Sequence, residues 1–118
     1  MAADRRRPAG THAPPVTVRG WDLPACRRGD LAGQVAQALR NAAVGLAGAG
    51  ASFADVLRLT FYVTQWSPEK IGDFMAGVEA VAEEIGLGIP MPPASLIGVD
   101  CLFEPDVLVE VEATAMVD

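Results

Sequence analysis

Histidine is almost missing from this chain: His12 is the only one among 118 residues, and it lies in a stretch of Pro, Gly, Arg and Ala without hydrophobic period. That scarcity argues against a histidine-built zinc site and against an imidazole general base. Cysteine is scarce too. Cys26 and Cys101 are far apart and show no metal-ligand spacing; as free thiols they suit a reducing compartment, with Cys101 expected to be packed. Aromatic residues make up 6%, so the core has few large side chains, and a partner subunit is one way to complete it. Long apolar runs are absent. No segment approaches the ~18 uninterrupted apolar residues of a membrane helix, and the opening MAADRRRPAG lacks the apolar stretch of a signal peptide. The expectation is a soluble cytoplasmic protein with no membrane partner.

Positive charge is scarce where the pattern is regular. Residues 1–30 hold six Arg against three Asp, whereas 31–118 hold three basic residues against twelve acidic ones. An acidic body repels phosphate backbones within a Debye length of about 8 Å, so no nucleic-acid partner is expected. Arg5, Arg6 and Arg7 read as part of a disordered tail over 1–14 rather than as a binding arm. The remainder, 15–118, is the size of one domain.

What is present is a clear succession of periods. VTVRGW, from Val16 to Trp21, permits a short strand. From Asp30, a capping residue, Leu31, Val35, Ala38, Leu39, Ala42 and Leu46 recur at helical spacing until Gly50, which predicts a helix over 31–49. Period two follows: Leu57, Leu59, Phe61 and Val63 share one face of a strand, and Arg58, Thr60, Tyr62 and Thr64 the other. Ser67-Pro68-Glu69-Lys70 reads as a helix start with Ser67 as the cap. Ile71, Phe74, Val78, Val81, Ala82 and Ile85 form the stripe of that second helix, which ends at Gly86 or Gly88. GLGIPMPP is a loop, Ser95–Val99 a short strand, and Val107–Val117 a longer one. On this last strand Val107, Val109, Val111, Ala113, Ala115 and Val117 oppose Leu108, Glu110, Glu112, Thr114 and Met116. The fold class is therefore α/β (α+β), a mixed sheet with two helices packed on one face. The opposite face, carrying Tyr62, Leu108 and Met116 beside the glutamates, is either wet or a subunit contact, and its three large side chains favour the contact.

Glu110 and Glu112 project the same way, about 6.6 Å apart along the strand. Either can donate a proton or hold a water, and either can simply face solvent; the spacing does not choose. With no third ligand nearby, the pair specifies no metal, and no cofactor is expected.

The run QVAQALRNAAVGLAGAGASFADVLRLTFYVT, the second helix, the loop entering a strand at PPAS, and the closing VLVEVEATA together resemble the RidA/YjgF/YER057c/UK114 family over residues 31–118. These are the enamine/imine deaminases once called L-PSP endoribonucleases. The resemblance implies a chorismate-mutase-like fold and a homotrimer with a small-molecule ligand in each inter-subunit cleft. It also implies a catalytic role for Glu110, the first glutamate of VEVEA, in handling the water that hydrolyses an imine. Glu112 is then an ordinary strand residue and Glu110 the more enclosed of the two. By the same resemblance Ala94 stands where deaminases carry the Arg that clamps a substrate carboxylate. Leu96 replaces a Cys, and Met75 falls where the family has Asn. Ser95 and Tyr62 complete the expected substrate-binding residues, and Arg19 or Arg58 is the candidate replacement cation. The family's amino-terminal strand pair with its Tyr-Ser and Ser-Gly-Gln segments has no counterpart in 1–30, so those strands are expected to be reduced or atypical. Two functions remain open on these residues: a deaminase of imines lacking the usual carboxylate, and a trimeric binding or regulatory protein with little catalysis. RNA cleavage is disfavoured by the acidic body.

Overall fold

The computed structural model describes residues 15–21 and 30–117. The expected tail over 1–14, His12 and Cys26 lie outside them. Four strands and two long helices follow the predicted order: β1 Val16–Trp21, α1 Leu31–Gly48, β2 Val56–Thr64, α2 Ile71–Ile85, β3 Ala94–Val99 and β4 Val109–Ala115. Among the described residues the amino-terminal part supplies one strand, β1.

The sheet order is β1-β4-β2-β3. β4 runs antiparallel to both β1 and β2, whereas β2 and β3 are parallel, as two strands joined by a crossing helix can be. Both helices cover one face. Against them β4 turns Val109, Val111, Ala113 and Ala115, and β2 turns Leu59, Phe61 and Val63, all essentially without solvent contact. Each such side chain contributes about 1.5–3 kcal/mol relative to exposure, alanine much less. Phe74 of α2 meets Phe61 edge-on at 4.9 Å between ring centroids and Trp66 at 6.0 Å, so three of the few aromatics stack into one cluster.

The alanine-rich face of α1 lets backbones approach. A Cβ at Gly20 would lie 2.3 Å from the Ala38 carbonyl oxygen, and one at Gly77 would lie 2.4 Å from that of Ala32. Glycine is thus required where α1 crosses β1 and where it crosses α2. Asp30 caps α1, its carboxylate accepting from the Gly33 amide at 2.8 Å. Gly86, at φ 73°, ends α2 in the left-handed conformation.

Four expectations need correction. Leu57 does not join the buried row: a register shift between Val56 and Arg58 places Val56 in the core and leaves Leu57 54% exposed. This is a β-bulge, which inserts one residue and moves the alternation by one. Leu108 lies before β4 begins and packs against the hydrophobic core, because the buried side chain of Gln34 accepts its N–H at 2.8 Å while donating to the Asp106 carbonyl at 2.9 Å. Ser67 makes no capping bond to the helix amides; a 3-10 turn over Pro68–Lys70 precedes α2, and the Ser67 hydroxyl serves the Glu69 carboxylate. Cys101 is exposed, since β3 stops at Val99 and leaves it in the connection to β4.

Candidate functional site

The sheet face away from the helices is built from alternate residues of all four strands. Pairing sets Arg19, Glu112, Thr60 and Ser95 in one row across it, and Glu110, Tyr62 and Ile97 in the next. Thr17 and Thr114, a row beyond, share a hydrogen bond of 3.1 Å. No helix among the described residues packs here, yet Thr60, paired between Glu112 and Ser95, is buried.

Glu112 is the hub of this face. Arg19 reaches it through Nε at 3.0 Å and Nη2 at 2.8 Å, and the Tyr62 hydroxyl donates to its other oxygen across a long 3.4 Å. Glu110 stands 3.8 Å from Arg19 Nε. The hydrogen bond and charge of Glu112, followed by the charge of Glu110, hold the Arg19 guanidinium above its ordinary range. Arg19 is 60% exposed, so solvent screens these pairs and they add little to stability. Their effect is to fix positions. The carboxylates are enclosed equally in the chain, 20% exposed for Glu110 and 21% for Glu112; the expected difference does not arise inside a single chain.

Glu110 and Arg19 also line an open cavity of about 450 Å³, whose other walls among the described residues are Leu102, Phe103 and Val107. The connection between β3 and β4 supplies that apolar side. Hence the cavity has a charged edge and a hydrophobic wall, large enough for a small organic molecule.

Of the residues expected at a site, the structure brings Glu110, Tyr62 and Ser95 onto one face. Ser95 Oγ accepts from Arg58 Nη2 at 3.3 Å, so this cation contacts the residue after Ala94. Ala94 opens β3, exposed and paired with Leu59. Leu96 pairs with Phe61 on the sheet, and both Leu96 and Met75 of α2 pack against the core; neither joins Glu110 on the open face of the chain. Leu102, Phe103 and Val107 were not expected at the site. Their only signal was an apolar cluster in the connection CLFEPDV. The role of Glu112 required knowing that β1 lies beside β4, a long-range pairing that element order does not dictate. Among the described residues no three His, Cys, Asp or Glu side chains gather as a metal site, and no helix is long and apolar enough to cross a membrane.

Comparison with known proteins gives the architecture its relatives. The family model described as Endoribonuclease L-PSP matches residues 20–117. YyfB from Yersinia pestis, a Rid-family protein of unknown function, is 32% identical, with 90% of this chain and 80% of that chain covered and a TM-score of 0.74. Rv2704 from Mycobacterium tuberculosis, a YjgF/YER057c/UK114 member, is 35% identical over 88% of this chain and 80% of its own, with a TM-score of 0.65. TdcF from E. coli, solved with bound serine, is 22% identical over 88% and 81%, at a TM-score of 0.69, a likeness of fold. No curated protein matches the chain. A family model spanning nearly all of the described residues, and two members above 30% identity, establish that the chain belongs to the RidA/YjgF/YER057c/UK114 family.

Proposed function

We propose that the protein is an enamine/imine deaminase that works as a homotrimer, with one ligand cleft at each subunit boundary, and that it does not use the family's carboxylate-clamping arginine. The observation that carries this reading is the placement of Glu110 on the wall of a cavity of about 450 Å³, on a sheet face left open by the helices. Hydrolysis of an imine needs a water brought to the carbon and a proton delivered to the departing nitrogen. One carboxylate can serve both steps in turn. Family membership supports the chemistry, and Ser95 offers a hydroxyl on the same face. Ala94 at the clamp position removes the two parallel hydrogen bonds that an Arg would give a substrate carboxylate.

A second reading, a trimeric binding or regulatory protein, is favoured by the apolar character of Ala94, Leu96 and Met75 at positions where the family is polar. Substitution separates the two. Glu110→Gln keeps the side chain's shape, so a catalytic Glu110 predicts a fall in ammonia release of about 100-fold or more, the usual worth of general acid–base help, with the oligomer intact by light scattering. Equal turnover by a well-folded Glu110→Gln oligomer would sink the catalytic assignment. No ammonia release from the wild type, on carboxylate-bearing and neutral imines alike, would establish the binding-protein reading.

A further inference from the structure

The charge around the Glu110 cavity points to a class of ligand. Arg19 stands between two carboxylates, 2.8 Å from Glu112 and 3.8 Å from Glu110, so the three side chains together keep one negative charge. The shorter contact gives the guanidinium to Glu112, which leaves Glu110 the less neutralised of the pair and the one that lines the cavity. Position 94 adds no cation. Arg58 bonds Ser95, and its partner on β4 is Thr114, four residues and about 13 Å along the strand from Glu110. Opposite the charged edge stand Leu102, Phe103 and Val107, with Phe103 81% exposed. Among the described residues, an anionic imino acid entering here would meet one net negative charge, and the guanidinium that lines the cavity, that of Arg19, is already held by Glu112 through Nε and Nη2. A positively charged nitrogen on an apolar group would meet attraction at one end and hydrophobic contact at the other.

We infer that the cavity takes the protonated imine of an apolar primary amine, with the carbon–nitrogen end at Glu110, the apolar group against Leu102 and Phe103, and Glu112 neutralising Arg19. This rests on the deaminase reading and narrows its substrate class. The reaction balances with water alone. The water oxygen bonds to the iminium carbon, the C=N pair moves onto nitrogen, and Glu110 takes the proton lost by the water, giving a neutral carbinolamine. Glu110 then returns that proton to nitrogen. The C–N bond breaks with its electron pair leaving on ammonia, and the hydroxyl proton passes to the ammonia, so the products are an aldehyde and ammonium. Glu112 and Arg19 do not touch the reacting atoms in this scheme; they are positioning residues that set the charge preference.

The test uses the full chain and three probes sharing one apolar group: 2-phenylethylammonium, whose nitrogen stands in for the iminium, 2-phenylethanol and phenylacetate. Each is titrated by calorimetry or NMR at one fixed ionic strength, since exposed charges are screened. The wild type should bind the ammonium at least about tenfold more tightly than phenylacetate, a difference of about 1.4 kcal/mol. Glu112→Gln, which removes the main partner of Arg19 and leaves the cluster without net charge, should move that ratio toward phenylacetate by a similar factor, and Arg19→Met should move it the other way. Preference for phenylacetate, no measurable binding of the ammonium, or a ratio unmoved by both variants would overturn the inference. Ammonia release from imines of phenylethylamine and of phenylalanine, run in parallel, keeps the two levels apart. A preference for phenylacetate with Glu110-dependent ammonia release defeats the charge class and keeps the deaminase. A preference for the ammonium with no ammonia release keeps the charge class and defeats the deaminase.

Discussion

At Gly77 the two helices touch through backbone. A Cβ there would lie 2.4 Å from the Ala32 carbonyl oxygen and 2.7 Å from Val35 Cβ, and Val35 is itself fully buried, so no flexible side-chain end can yield. Gly72 is on the same helix with nothing within 4 Å of its would-be Cβ. The pair gives an internally controlled prediction. Gly77→Ala should destabilise by about 1–3 kcal/mol through overpacking, whereas Gly72→Ala should stabilise by roughly 0.5–1 kcal/mol through lower unfolded-state entropy and better helix propensity. Urea midpoints at one protein concentration would read both, and equal effects of the two substitutions would contradict the close-packing account. Little of this could be read from the sequence. A glycine inside a helical period signals close approach or mere tolerance, and only the neighbour's position separates them. Gln34 was hidden in the same way. It looks like a polar interruption of the α1 stripe, but it is 3% exposed and ties both Asp106 and Leu108 of the chain entering β4.

The elements themselves were legible where burial imposes a period. α1, α2 and β4 each bury one face along most of their length, so their apolar residues recur at helical or alternating spacing whatever the partner; the exception in the α2 stripe is Ile71, which opens the helix and is 50% exposed. Boundaries and irregularities were less legible. The bulge at Leu57 breaks a perfect alternation because β4 opposes one residue to two of β2, and such a mismatch belongs to the pair of strands rather than to either one. The entry to α2 departs from expectation because Ser67 has the residue type of a cap, yet its hydroxyl donates to the Glu69 carboxylate and accepts from no helix amide. That acceptor gives a pH prediction. The Glu69 backbone amide, then the Ser67 hydroxyl, with Lys70 nearby, hold the Glu69 carboxyl below the usual carboxylate range. A depressed folded-state value means that the group stabilises the helix start above the ordinary glutamate range of about pH 4.3. The contribution is lost as pH falls through the depressed value. Thermal melts of wild type and Glu69→Gln should therefore differ near neutrality and converge as the pH falls through the depressed value, by a small amount because Glu69 is fully solvated. A gap that widened on acidification would reverse the sign and defeat the assignment.

For the whole molecule, the main question is what covers the sheet face that the helices leave open. Ile97 sits at its third strand, 44% exposed and paired with Tyr62, in the same row as Glu110. A half-exposed isoleucine beside an amphipathic tyrosine fits a contact between subunits better than a solvated surface, since such a row gains by losing water. The sequence shows that this face exists but not its partner: alternation along one strand says which side chains point away from the core and nothing about a second copy of the chain. The homotrimer proposed for this protein accounts for the row, and predicts a particle of three times the 12.3 kDa chain mass in light scattering. It also predicts a selective failure. Ile97→Asp places a carboxylate in the row of Glu110, where association would bury it without a counter-ion; leaving a charge unpaired in an interface costs several kcal/mol. That substitution should shift the particle to a monomer while far-ultraviolet circular dichroism keeps the helix and strand signal, because Ile97 lies on the face away from the core. Val44, 72% exposed on α1, supplies the control: Val44→Asp should leave the trimer unchanged. If Ile97→Asp stays trimeric with wild-type dissociation behaviour, or if the wild type is a monomer at micromolar concentration, the open face is not the assembly surface and the Glu110 cavity would have to function within a single chain.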